Sequence, residues 1–231
     1  MKTLECVISE NKDSDDVHLT GAFVTESVYC NQLLVGGNEL NQIFTHTQYV
    51  VRKKILTVLG AKFHIYDNNE HLVMFSQMKA FKLKEDIRLY SDESMQQELI
   101  TIKARSVIDF SATYDVVDAV TGENLGSLRR KGMKSIMKDE WIIQNSNEQE
   151  VGLIKEDSAL LALVRRFLTN LVPQKFHAEI DGRTVVEFQQ NFNPMVSKLN
   201  VDFSSNTNNQ IDPRLALAAA VLLLAIEGNQ S

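Results

Sequence analysis

Cysteine, proline and net positive charge are all scarce in this chain. Only Cys6 and Cys30 are present, both near the start, so neither a disulfide framework nor a pair of CxxC metal motifs can be built. A reducing compartment is the default, and the chain is read as cytoplasmic. The opening Met1-Lys2-Thr3-Leu4-Glu5 lacks the uninterrupted apolar stretch of a secretory signal, and Lys2 stands where myristoylation needs glycine. Three prolines and ten glycines in 231 residues exclude a collagenous or low-complexity chain. Against 30 Asp and Glu there are 24 Lys and Arg, a net charge of -6, which argues against nucleic acid as a partner. The longest apolar run falls well short of the roughly 20 residues a transmembrane helix requires, so no transmembrane segment is expected.

What is present describes a soluble domain with a sizeable core, since 44% of residues are hydrophobic and 23% charged. The acid bias is local. Glu5, Glu10, Asp13, Asp15, Asp16, Glu26 and Glu39 stand against Lys2 and Lys12 in residues 1–40, leaving the rest of the chain near neutrality. Gly36-Gly37-Asn38 is the strongest boundary signal. Residues 1–42 are therefore expected to form an acidic, partly ordered extension, with Val17 to Val35 apolar enough to add strands, and residues 43–231 a single domain.

Within that domain the dominant period is two. Ile100, Ile102 and Ala104 alternate with Thr101, Lys103 and Arg105; Leu199, Val201 and Phe203 alternate with Lys198, Asn200 and Asp202; Phe63 and Ile65 alternate with Lys62, His64 and Tyr66. Strands of this kind bury one face. Asp67-Asn68-Asn69-Glu70, Thr121-Gly122-Glu123-Asn124, Asn145-Ser146-Asn147-Glu148 and Asp181-Gly182 supply turns between runs, so the pattern predicts antiparallel hairpins. No Gly-rich strand-to-helix turn appears, which sets aside the nucleotide-binding α/β folds.

Two segments depart from this period. Ser158 to Leu171 carries Leu160, Leu161, Val164, Leu168 and Leu171 on one helical stripe. The second, a helix over 213–227, has Asp212 as its N-cap, Pro213 at its first position and Gly228 beyond its end. From Leu215 to Ile226 no side chain carries a polar atom. At about 1.5 Å per residue such a run reaches roughly 18 Å, too short for a bilayer core of about 30 Å, so a membrane tail anchor is the weaker reading. A helix apolar all round must be surrounded all round, and one-face-buried strands achieve this by curling into a barrel about it.

Tyr49-Val50-Val51-Arg52-Lys53-Lys54, Gly60 to Asp67, Lys79 to Ile87, Ile108 to Val116 and the final Asp212 to Gly228 helix together resemble the LURP-one-related and phospholipid scramblase group, in particular its small bacterial members. The resemblance covers residues 44 to 228. It implies a mainly β fold: a tubby-like closed antiparallel barrel of about twelve strands around a buried hydrophobic C-terminal helix. It also implies functions ranging from phosphoinositide binding to lipid scrambling. In scramblases an acidic calcium loop precedes the last helix. The matching stretch here, Asp202 to Asp212, keeps only Asp202 and Asp212 as acids, so these are weak metal candidates and no metal or other cofactor is expected.

The residues themselves offer one binding candidate. Arg129-Arg130-Lys131-Gly132-Met133-Lys134 reads as a loop after a strand, and Arg129, Arg130, Lys131 and Lys134 form a candidate site for anionic phospholipid head groups. Arg52-Lys53-Lys54 and Lys79, Lys82 and Lys84 add positive charge elsewhere. Catalytic spacing is missing. His18, His46, His64, His71 and His177 form no HxH or HExxH, and Ser111 and Ser135 sit in no GxSxG elbow. Asp109, Asp115 and Asp118 are close, but alternation and turn geometry explain them, and Trp141 reads as core. The expectation is a non-enzymatic binding module for anionic lipid, peripheral to a membrane. The alternative is a soluble interaction or scaffold protein, self-associating or bound to another protein.

Overall fold

The computed structural model describes residues 42–56, 60–78, 86–105, 112–131, 140–157, 174–191 and 196–226. Residues 1–41 of the expected extension, the expected helix over 158–171 and Lys134 lie outside the described residues. From Gln42 onward the chain clusters as one compact unit.

Twelve strands follow in order: β1 (Gln48–Leu56), β2 (Gly60–Asp67), β3 (Leu72–Met78), β4 (Ile87–Tyr90), β5 (Glu98–Ala104), β6 (Thr113–Asp118), β7 (Asn124–Arg130), β8 (Glu140–Gln144), β9 (Glu150–Glu156), β10 (Lys175–Ile180), β11 (Arg183–Asn191) and β12 (Ser197–Asp202). Each pairs antiparallel with its neighbours in sequence, and β1 pairs with β12 to close the barrel. The helix α1 (Pro213–Ile226) comes last. The expected architecture is thus the observed one.

Alternation sets which residues face inward. Phe63 and Ile65 are fully buried while Lys62, His64 and Tyr66 share the opposite face, and Val51, Ile102, Val116, Ile143 and Phe188 continue the inner lining. Every residue of α1 from Leu215 to Ala225 is buried, and the helix touches β1, β5, β6, β7 and β12. Its large apolar side chains each gain about 1.5–3 kcal/mol from burial. Ala216, Ala218 and Ala220 let the wall approach closely. One glycine marks such an approach: Gly126 on β7 has φ 129°, and a Cβ there would stand 2.2 Å from the Gln144 carbonyl oxygen and 3.4 Å from Leu215.

At the end where α1 begins, turns are tied by side-chain oxygens that accept backbone N–H groups two to four residues on. Asp67 Oδ1 accepts from Asn69 and His71 at 2.8 Å. Asp92 accepts from Ser94 at 2.7 Å, and Asp118 from Val120 and Thr121 at 2.8 Å. Asn145 accepts from Asn147 and Gln149 at 3.0 Å. Asp181 and Gly182, with φ 50° and 73°, form the two-residue hairpin turn expected of Asp-Gly. The strand connections at the opposite end fall outside the described residues.

Candidate functional site

Arg129 and Arg130 are the last residues of β7 rather than part of a loop, and Lys131 follows directly. Strand alternation therefore divides them. Arg129 lies opposite Thr113 and Ile142 and forms an ion pair with Glu150 across the outer surface. Lys131 Nζ donates to Glu140 Oε2 at 2.9 Å. Arg130 lies opposite Trp141, which lies opposite Ile154, and both of those are 1% exposed. It thus belongs to the inner face. Burial raises the pKa of the adjacent Tyr114 hydroxyl, and the Arg130 charge offsets part of that rise.

The same division applies to Arg52-Lys53-Lys54. Lys53 is 2% exposed, and its Nζ donates to the Leu224 carbonyl at 2.8 Å, one of the last carbonyls of α1. Burial pushes its pKa down to about 8. Sequence reasoning counted this lysine with the surface charge; its parity with Val51 and Phe63 places it inside.

Arg52 and Lys54 face outward on β1. Arg52 lies opposite Lys198 on β12 and His64 on β2, and Lys54 lies opposite Lys62 on β2. The Arg52 guanidinium stands 4.4 Å from the Tyr66 ring centroid and pairs with Glu70 at 3.2 Å. Lys62 lies 5.6 Å from the Phe75 ring centroid. His64, expected to be exposed, has a side chain only 15% exposed, covered by Tyr66 and Phe75 and bonded to Glu93 at 3.1 Å. The sequence signal for Lys62 and Lys198 was their polar phase alone; their place beside β1 needed the strand register.

Asp202 and Asp212 are engaged by the protein itself. Asp202 Oδ1 accepts the Ser204 N–H at 2.7 Å and Oδ2 accepts from Gln48 at 3.1 Å. Between them, Asn206 donates to the Ile211 carbonyl at 2.9 Å and accepts its N–H at 3.3 Å, which fixes the amide-rich loop. Asp212 caps α1 through the Arg214 N–H at 2.8 Å and also takes the Arg214 guanidinium at 2.6 Å. That guanidinium continues to Asp118 at 2.5 Å and Glu123 at 3.1 Å. Burial alone would raise the Asp118 pKa, but the N–H groups of Thr121 and Val120 and the Arg214 charge hold it below the usual range. Among the described residues no three His, Cys, Asp or Glu side chains converge as metal ligands.

Other titratable groups also have structural partners. Asp115 lies on β6 and accepts from Arg105 Nε through both carboxylate oxygens at 2.7 Å; Asp109 lies outside the described residues. His177 on the outer wall contacts Asp157 through Nδ1 and Glu179 through Nε2 at 2.7 Å, and Glu179 accepts from Lys155 at 2.6 Å. A shallow groove of about 200 Å³ beside it is lined by Lys175, Glu187 and Gln189. Trp141 is 1% exposed and its ring lies 5.9 Å from that of Tyr114, as a core residue should.

No curated protein matches the sequence. The X-ray structure of an Arabidopsis thaliana protein aligns with a TM-score of 0.43 at 12% identity, covering 81% of this chain and 95% of the other. The sequence profile of the LURP-one-related family matches residues 72–224, from the first residue of β3 into the last turn of α1, and the chain belongs to that family.

Proposed function

We propose that this LURP-one-related barrel is a non-enzymatic binding module that docks on anionic phospholipid or phosphoinositide head groups at a membrane surface. The observation that carries the reading is the separation of charge along the barrel axis. Asp67, Asp92, Asp118, Asp181, Asp202 and Asp212 gather at the end where α1 begins. Among the described residues toward the other end, Lys54, Lys62, Lys103, Arg129, Lys131 and Lys175 outnumber Glu140, Glu156 and Asp157. Near an anionic surface each cation contributes roughly 1 kcal/mol, and the carboxylate end is repelled, so charge alone orients the barrel. No described helix is long and apolar enough to cross a membrane. In this reading attachment is peripheral, from the cytoplasmic side. Neither cofactor nor metal takes part in it.

A second reading, a soluble interaction or scaffold protein, draws support from the ion pairs of Arg129 with Glu150 and Lys131 with Glu140. These neutralise two of the cations that docking would use. Sedimentation with liposomes of graded anionic content separates the readings. Docking predicts binding that rises with anionic content, falls with salt, and weakens in the Arg129→Gln, Arg130→Gln, Lys131→Gln, Lys134→Gln variant. Of these four, Arg130 should matter least, because it faces inward. Binding that requires calcium would direct attention to Asp202 and Asp212, and no binding at any charge density favours the interaction protein.

A further inference from the structure

We infer that the inner face of β6, β7 and β8 is a binding site for a small carboxylate, held by the Trp141 indole N–H, the Tyr114 hydroxyl and the Arg130 guanidinium. Alternation brings the three together: Tyr114 shares the phase of Val116, Arg130 that of Leu128 and Trp141 that of Ile143, all three of which line the core. The register places Arg130 opposite Trp141, and Tyr114 opposite Leu128, two residues before Arg130. The Tyr114 and Trp141 ring centroids stand 5.9 Å apart. Burial raises the Tyr114 pKa and the Arg130 charge lowers it, so guanidinium and hydroxyl lie within electrostatic reach of each other.

Two of these groups are donors without an acceptor. Trp141 is 1% exposed, and its Nε1–H meets no acceptor. Tyr114 is 6% exposed, and no described residue accepts from its hydroxyl. Buried tyrosine and tryptophan ordinarily find a partner for the polar atom, and one left unmet costs free energy. Two such donors on one patch are a local choice that opposes folding, which is expected where function requires it. The net rise in the Tyr114 pKa also keeps the phenol protonated, and hence a donor. Arg130, half-buried at the end of β7, connects the patch to the barrel rim. Arg130 and Glu156, the buried acid of β9, each have contacts of their own, so the two aromatic donors set what the ligand must be: an acceptor.

A carboxylate answers this set best. Its two oxygens accept from the indole and the hydroxyl at once, and its single charge meets the guanidinium. The wall around them, Leu128, Ile143 and Ile154, is apolar. A neutral acceptor such as an amide oxygen leaves the Arg130 charge unused. A phosphate brings up to two charges against one cation in that apolar wall, so its desolvation goes uncompensated. The patch faces inward and uses none of the outward-facing cations, so the inference and the docking reading above fail independently.

Trp141 is the only tryptophan in the chain, so its emission reports on the site directly. The test titrates the full chain with sodium formate, acetate and butanoate. Butanamide serves as the uncharged analogue, and sodium phosphate and sodium chloride at equal ionic strength as anion controls. The expected result is a saturable shift of tryptophan emission to longer wavelength, with a matching rise in thermal midpoint, for a carboxylate and for neither butanamide nor chloride. In Tyr114→Phe the apparent affinity should fall roughly tenfold. The unliganded midpoint of that variant should equal or exceed the parent's, because a hydroxyl without an acceptor has been removed; a hydroxyl that only supported the fold would lower it. If Tyr114→Phe fails to fold, Arg130→Gln carries the same loss of affinity. No saturable shift with any of the three acids would overturn the inference and leave the donors facing water alone. An equal shift with butanamide, a larger one with phosphate, or parent-like affinity in both variants would overturn it as well. No vesicle enters the experiment, so the outcome does not depend on docking.

Discussion

The core helix is held differently at its two ends. At its start, one guanidinium, that of Arg214, joins the cap Asp212 to Asp118 and Glu123 at the β6–β7 turn. At its finish, the buried ammonium of Lys53 reaches the Leu224 carbonyl. Both arrangements suit the helix dipole, which favours carboxylate near the N-terminus and a cation near the C-terminus. They respond to opposite limits of pH. Asp118 is held below its usual pKa, so its contribution is present above the unfolded value and is lost as pH falls through the folded one. Lys53 titrates near 8 when folded against 10.5 when unfolded, so the unfolded chain binds the extra proton between those values and stability rises with pH across that window. Acid should therefore loosen the first end, and mild alkali should relieve the second.

The midpoint of the helix, Ala219, provides the upper limit against which both ends are judged. It is 2% exposed, and Ala219→Asp would place a carboxylate inside the barrel at a cost of several kcal/mol, roughly the whole stability of many domains. Soluble expression should be lost. A folded, soluble variant would mean that the helix is not the core and that neither end matters as described. Next in size is Asp118→Ala, which leaves two turn N–H groups without their acceptor and takes one of three carboxylates from Arg214. Asp118 is 7% exposed, and the expected loss is about 3 kcal/mol in urea unfolding. Asp118→Asn keeps the shape while removing the titration, so its unfolding free energy should change less between neutral and acid pH than the parent's. An unchanged acid limb would place the acid response elsewhere, for instance at Asp67, also held low despite burial by the His71 and Asn69 N–H groups.

At the other end, Lys53→Met exchanges two opposing effects. The variant no longer buries an ammonium, but the Leu224 carbonyl loses a donor, so the net change at neutral pH should stay within about 1 kcal/mol. The distinguishing result lies in the pH profile. The parent should gain up to about 3 kcal/mol between pH 8 and 10.5 from this group, and the Met variant should lack that gain. A rise that persists in the variant would show that Lys53 is not the group titrating there.

How much of this could be read from the sequence depends on the range over which residues act. The barrel followed from period-two strands and one helix apolar on every side, and turns such as Asp181-Gly182 announced themselves by residue type. Facing was also local: Lys53 shares the phase of Val51, so its burial was legible to anyone who carried the alternation through the basic run. Pairing was not. Asp118 and Arg214 lie 96 positions apart, and nothing in either neighbourhood names the other. Lys198 meets Arg52 only because the last strand closes on the first. The β7 cations illustrate both cases, since adjacency in sequence suggested one patch whereas the strand sends Arg129 and Arg130 to opposite faces.

The smallest expected effect gives the sharpest contrast with the Arg214 clasp. Lys131 and Glu140 also form a close ion pair, 2.9 Å apart, but the lysine side chain is 53% exposed where that of Arg214 is 21% exposed. Water competes for an exposed ammonium and salt screens it, so Lys131→Gln should change stability by less than about 0.5 kcal/mol, and by still less in high salt. Arg214→Gln removes a guanidinium shared among three carboxylates and leaves Asp118 buried without it, so its loss should be several times larger and persist when salt is raised. Thermal midpoints of the two variants at low and high salt make the comparison directly. Equal losses would mean that burial does not distinguish these pairs, and the account of a barrel locked at one end by partly buried charge would fail with it.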